Sequence, residues 1–397
     1  MKTQFISIIA IMLFSHKISF AQNTTNIPVS MYGLGELVAT EGGKYAGIGN
    51  AGVALNKNGF LNTLNPACIS NIDTTAFTFD TGLTATYGRY QMSGESSSAE
   101  TGNPNRISFA LRMMPRWYMM IGAAPYSSVG YLIKTIEPIE GTNGVQVSSS
   151  FRGNGGLYKL YLTNALKLTR QLSLGASIGM ISGIVEETET QENAKVTMES
   201  EKRTFYCDFG LHYMLNKHWS VGAMYALPAT LKQEVELTYS NSSTSNGVNK
   251  NLSAEKQYIP QHVGVGITYQ SSKWTFTCDY HWVQWSCNQS SLSTVKYIDQ
   301  HKGNLGTIFS IPSRKGQNVE LMAGTGYSNS YVVLKQGKMH YWDCNLGISI
   351  PIGKTFIALG AGWRKQLNTR KDLMQEDRFL FSLNISYGER ISRAKIY

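Results

Sequence analysis

What this 397-residue chain lacks narrows its class before any motif is read. No stretch after the first twenty or so residues approaches the ~18 consecutive apolar residues of a membrane-crossing helix. Charge is thin, at 16% of residues, and no amphipathic helix follows the N-terminal region. Cysteine is sparse and odd in number: Cys68, Cys207, Cys278, Cys287 and Cys344 are widely spaced without a C-x-x-C pair. No structural disulfide is expected, Cys278 and Cys287 being the pair nearest to one. The histidines show no H-E-x-x-H or other ligand spacing, no G-x-S-x-G occurs, and no acid pair recurs at a working distance. Catalysis, a metal and a cofactor are therefore not expected. The basic balance lacks any Lys/Arg block dense enough to track a nucleic-acid backbone, so anionic lipid is the more economical partner.

What is present begins with an export signal. Lys2 forms a short positive region, Phe5 to Phe14 an apolar one, and Ser19-Phe20-Ala21 a small-residue cleavage site. Residues 1–21 are read as a signal peptide. Loss of Lys2 and Lys17 takes the formal charge from +10 to +8.

Alternation dominates the rest. Phe77, Phe79, Leu83, Ala85 and Tyr87 interleave with small or polar residues, as do Phe379, Phe381, Leu383, Ile385 and Tyr387. Period-two patterning over about ten residues marks a transmembrane β-strand. About fourteen such segments occur, joined alternately by short links (Met114-Pro115-Arg116, Asn216-Lys217-His218) and long polar ones (Gln91–Pro104, Glu186–Lys202). Short periplasmic turns and long outward loops characterise outer-membrane barrels. Residues 76–397 are thus read as an all-β, antiparallel transmembrane β-barrel of about 14 strands, integral to the outer membrane of a Gram-negative bacterium. Asp80, Asp208, Asp279 and Asp343 lie on strands and should face the lumen, against an N-terminal domain or opposite arginines.

Residues 22–75 do not alternate and are rich in glycine. Gly47-Ile-Gly-Asn-Ala-Gly52 fits G-x-G-x-x-G, yet no strand–helix unit follows, so a dinucleotide site is not expected. A barrel of this size has a lumen its own side chains cannot fill. Residues 22–75 are accordingly read as a plug, or hatch, domain in the lumen. Its motif positions are Gly47, Gly49, Gly52, Asn65, Pro66 and Ala67.

Ser30 to Glu36, Ala46 to Ala54 and Leu64-Asn-Pro-Ala67 resemble the hatch of the FadL family, outer-membrane transporters of long-chain fatty acids and other hydrophobic compounds. Gly122 to Tyr131, Gly153 to Tyr158, Pro260 to Ile267 and Asp279 to Ser286 extend the resemblance over the mature chain, which looks most like a Bacteroides-type branch. The resemblance implies a fourteen-stranded barrel with a plug, and a kinked third strand that opens the wall sideways. Here that strand carries Pro125, which cannot donate to a ladder. Ala123, Ala124, Pro125, Tyr126, Ser127 and Ser128 are the lateral-gate candidates, with a simple bulge as the other reading of the same residues. Leu55, Phe60 and Leu64 are candidate ligand-pocket residues. Two functions stand open, the first the leading reading and the second its alternative. One is passive uptake of hydrophobic small molecules or lipids. The other is a non-transporting accessory barrel partnered with subunits of an outer-membrane protein secretion or barrel-assembly complex. Absence of plug glycines at Asn50-Ala51 departs from the family pattern.

Overall fold

A computed structural model describes residues 25, 27–38, 43–57, 59–72, 76–92, 95–138, 146–241, 244–252, 256–290, 294–312, 317–334, 337–367 and 375–390. The signal-peptide reading of residues 1–21 lies outside them.

Fourteen strands form the wall. The first six are β1 Ala76–Met92, β2 Glu95–Met114, β3 Trp117–Pro138, β4 Gln146–Lys167, β5 Leu172–Gln191 and β6 Ala194–Met214. β7 comprises Trp219–Ala226 and Ala229–Asn241, broken where Pro228 has no N–H to offer. β8 comprises Thr244–Leu252, Gln257–Ile259 and His262–Gln270, and β9 is Trp274–Val283. β10 comprises Val295–Tyr297 and Gln300–Ile311, followed by β11 Val319–Leu334, β12 Gly337–Ile352, β13 Thr355–Leu367 and β14 Gln375–Arg390. Each pairs antiparallel with its sequence neighbours, and β14 returns to β1 in a register that sets Phe379 opposite Tyr87. Closure removes the free edges that a membrane does not tolerate.

The strands are inverted relative to a soluble protein. In β9, Trp274, Phe276, Cys278 and Tyr280 are exposed, whereas Thr275, Thr277, Asp279 and His281 are buried. Apolar side chains face the lipid and polar ones the filled lumen. Aromatic contacts occur near the short turns, as in Trp219–Tyr269 at 5.0 Å and Trp274–Phe309 at 4.6 Å, and toward the other end, as in Trp342–Trp363 at 6.0 Å. All five cysteines are free.

Two expectations about the links change. Residues 91–104 and 186–202 are largely strand, for β5 runs to Gln191 and β6 starts at Ala194. Above the bilayer both faces of a strand meet water, so the apolar half of the alternation disappears while the ladder continues. β4 has 22 residues, against the ~9–11 needed to cross the hydrocarbon.

The wall is irregular at one place. β2 and β3 pair from Met114↔Trp117 only as far as Ile107↔Ala123. Beyond that rung, among the described residues, β2 pairs with β1 alone, while β3 pairs with β4 and with the short strand Glu36–Leu37. Pro125 and Ser127 oppose Tyr158 and Leu157, leaving Tyr126 as the extra residue of a bulge.

Candidate functional site

The described residues before Ala76 lie against the inner wall, in short pieces: a 3-10 turn Pro28–Met31, a two-residue strand Glu36–Leu37, one helical turn Lys44–Gly47 and a 3-10 helix Pro66–Asn71. Their placement rests on close approach of backbone to backbone. Gly175 of β5, Gly210 of β6, Gly222 of β7, Gly266 of β8, Gly306 of β10 and Gly324 of β11 all face inward. A Cβ at any of them would overlap this segment or the side chain that holds it. Gly222 meets Val53, and Gly324 meets Ile48 and Gly49. The wall is bare where the segment needs it to be.

Asn65 shows how the motif is fixed. Its side chain caps the following 3-10 helix by accepting from the Ala67 N–H at 3.0 Å. Its amide donates to Val53 O at 2.8 Å and to Leu211 O of β6 at 2.9 Å. Pro66 supplies a helical φ at the first position, where no N–H is needed. Gly47 packs on Met322 and Gly347, while Gly49 and Gly52 have φ of 71° and 151°. The N–H groups of Gly52 and Val53 both donate to Asp279 of β9, the latter at 2.8 Å. The G-x-G-x-x-G donors therefore serve a wall carboxylate.

Buried charge completes the attachment. Lys57 and Lys44 of the segment reach Glu320 of β11 at 2.6 and 3.5 Å. Burial pushes the Lys44 ammonium below the ordinary lysine range, and Glu320 opposes that push. Arg106 of β2 bonds Asp80 of β1 at 2.7 Å, Leu61 O at 2.8 Å and Thr63 Oγ1 at 2.9 Å. Asp80 in turn accepts from the Leu61 N–H at 3.0 Å. Glu36 pairs with Arg378 of β14, which also contacts Glu376. Burial alone would raise the Glu36 carboxyl, but Arg378 and the Thr25 hydroxyl hold it below its usual range.

The same Glu36–Leu37 strand occupies the edge of β3 left open by β2. Glu36 stands opposite Ser128 and Leu37 opposite Ser127, and the Val38 N–H donates to Tyr126 O at 3.1 Å. Ser30 adds a bond between its hydroxyl and the Gly130 N–H at 3.1 Å. Among the gate candidates, Ala123 forms the last rung with β2 and is exposed; Ala124, Pro125, Ser127 and Ser128 are buried, and Tyr126 is half-buried.

The pocket candidates fall in different places. Leu55 and Phe60 pack with Tyr45, Ile48, Ile308, Met322 and Ala358, and Leu64 lies against that cluster. Leu64 also borders a lumen cavity of about 360 Å³ whose lining includes Glu36, Lys302, Asp343, Arg364, Glu376 and Arg378. Arg364 and Asp343, opposite each other on neighbouring strands, pair on its wall at 2.5 Å. Sequence reasoning placed the strand aspartates in the lumen but missed Glu36, Lys44, Arg106, Glu320 and Arg378. For Glu320 the signal was the one charge of an otherwise neutral strand, and for Glu36 and Lys44 an isolated charge in the glycine-rich segment; Arg106 and Arg378 stand on strands with other charges and gave none.

Residues 1–394 match the family model described as BamG. The chain belongs to the BamG family. Its fold is shared with solved outer-membrane channels of low sequence identity. The CymD monoaromatic hydrocarbon channel superposes with a TM-score of 0.62 at 15% identity, over 91% of this chain and 100% of that one. A Pseudomonas aeruginosa FadL homologue gives 0.61 at 12%, over 89% and 99%. The Pseudomonas putida toluene transporter TodX gives 0.58 at 14%, over 91% and 100%. No curated protein matches. This BamG-family barrel is thus an outer-membrane protein of FadL-like fold.

Proposed function

We propose that this BamG-family chain is a barrel held shut by its own N-terminal hatch, serving as an accessory subunit of an outer-membrane protein secretion or barrel-assembly complex. The observation that carries this reading is the join between hatch and wall. Asp279, Glu320, Asp80 and Arg106 each use buried charge on the segment. Removing the hatch would strand Asp279 and Glu320 away from their partners, at a cost of several kcal/mol each, while Asp80 and Arg106 would keep each other and lose their bonds to Leu61 and Thr63. The cavity that remains is bordered by ion pairs, a poor resting place for an alkyl chain, and the parted edge of β3 is covered by Glu36–Leu37.

A second reading keeps the uptake of hydrophobic compounds such as long-chain fatty acids. It is favoured by the parting of β2 and β3 beside Pro125, which would let an apolar molecule leave the lumen sideways. Hydrocarbon channels and the toluene transporter among the fold relatives lend it support. Burial of each methylene contributes only ~0.8 kcal/mol, so a long chain would be needed to displace the hatch strand.

Purification in mild detergent followed by native mass spectrometry separates the two. Co-purifying outer-membrane subunits are expected. A monomer carrying bound fatty acid or lipid, together with cellular uptake of a fluorescent fatty acid that A124W or S127W abolishes, would overturn the accessory reading.

A further inference from the structure

The links at the short-turn end share one charge. Between β2 and β3 lies Arg116, between β4 and β5 Arg170, between β6 and β7 Lys217, and between β8 and β9 Lys273. Lys354 lies between β12 and β13, where Glu389 of β14 pairs with it at 2.6 Å. None of these five links contains an aspartate or glutamate. At the opposite end both signs mix, as in Glu186, Glu187, Glu189, Glu192 and Lys195. Arg116, Arg170, Lys217, Lys273 and Lys354 are exposed. Trp117, Trp219 and Trp274 stand one or two residues inward of Arg116, Lys217 and Lys273, so these bases project past the aromatic girdle into water.

An apolar recess opens inside this ring. It measures about 410 Å³ and lies between the underside of the N-terminal segment and the ends of β1, β12, β13 and β14. Phe60, Leu61, Ile69, Ile72 and Phe356 line it, with Lys354 on its border. Phe60 and Phe356 stand 6.3 Å apart, centroid to centroid.

We propose that this basic, centrally apolar end is a docking face for a periplasmic protein whose contact surface is acidic and carries an apolar side chain into the recess. The proposal rests on the accessory reading above and names the chemistry of the partner. Charge complementarity selects the sign and steers the encounter, and the desolvated apolar anchor supplies the hot spot. Phospholipid headgroups flank the ring from outside the barrel but do not reach a recess within it. A protein seated beneath the mouth covers both.

The test uses the full chain in non-ionic detergent and a fluorescein-labelled peptide in which glutamates flank a pair of phenylalanines. Fluorescence anisotropy is expected to show binding that weakens about tenfold between ~20 and ~200 mM salt. R170E/K217E/K273E, checked for a folded barrel by heat-modifiable migration, should bind about tenfold more weakly still. Peptides with glutamine for glutamate, or alanine for phenylalanine, should lose a similar factor. Equal affinity of wild type and triple variant, or indifference to the phenylalanines, overturns the docking face. So does native mass spectrometry in which only phosphatidylglycerol is lost from the triple variant, which assigns the ring to headgroups. If the folded triple variant still co-purifies with the same periplasmic subunits as wild type, this face is wrong and the accessory role stands. If wild type itself emerges without subunits, the accessory role is what fails.

Discussion

Asp279→Ala isolates the strongest single tie between wall and segment. Asp279 Oδ2 accepts from both Gly52 and Val53, and the carboxylate is 2% exposed. The substitution leaves two buried N–H groups without their acceptor, at ~1–3 kcal/mol for each. A loss of about 2–6 kcal/mol corresponds to a roughly 30- to 10⁴-fold rise in the fraction of time the Gly52–Val53 turn is open. The barrel should survive, because no ladder bond is touched. The assay is hydrogen exchange by mass spectrometry on peptides covering residues 50–56, in detergent, with β-strand peptides as internal reference. Asp279→Asn keeps a carbonyl acceptor without the charge and should fall between wild type and alanine. If Asp279→Ala and wild type exchange alike over residues 50–56, the wall carboxylate does not hold the segment, and the Gly52–Val53 turn is not fixed by the wall.

Asp80→Ala strands Arg106, both side chains being 1% exposed, and should lower barrel stability by about 3–5 kcal/mol in a urea titration; D80L/R106M should recover most of that loss. Burial raises the Cys68 thiol, whose sulfur lies 3.6 Å from Val53 O, so maleimide should label Cys287 and spare Cys68 in wild type, then reach Cys68 in Asp279→Ala. Glu36 has a folded pKa below its unfolded value of 4.5, so its contribution is fully present above about pH 4.5 and is lost as pH falls through the lower folded value. Protection at Glu36–Leu37, the intrinsic exchange rate at each pH divided by the observed one, should fall on acidification through that window, and Glu36→Gln should abolish that fall while lowering protection at neutral pH.

Much of the fold was legible because lipid and lumen make opposite demands on successive side chains. β9 reads directly as wall from Trp274 to Val283, and the lumen placement of Asp80 and Asp279 followed from the same parity. The outer halves of β5 and β6 were illegible for the complementary reason: beyond the bilayer neither face is apolar, so Glu186 to Gln191 resembles a loop although it is laddered to β6. The site was legible at Asn65-Pro66-Ala67, where capping chemistry is local. It was illegible where partners are hundreds of residues apart, as with Lys44 and Glu320 or Glu36 and Arg378. A two-residue strand such as Glu36–Leu37 has no periodicity to detect, and wall glycines such as Gly222 and Gly324 announce a close neighbour without saying which one. Pro125 marked an irregularity from its missing donor alone; the bulge at Tyr126 and the early end of the β2–β3 ladder needed the register.

The belt of inward glycines bears on the order of assembly. Because Val53, Ile48 and Asn65 touch β6, β7, β10 and β11 at backbone distance, each of these seats has glycine on the wall side and no room for a side chain. Strands laid down around the segment would meet those seats directly, with the β1–β14 seam closing last.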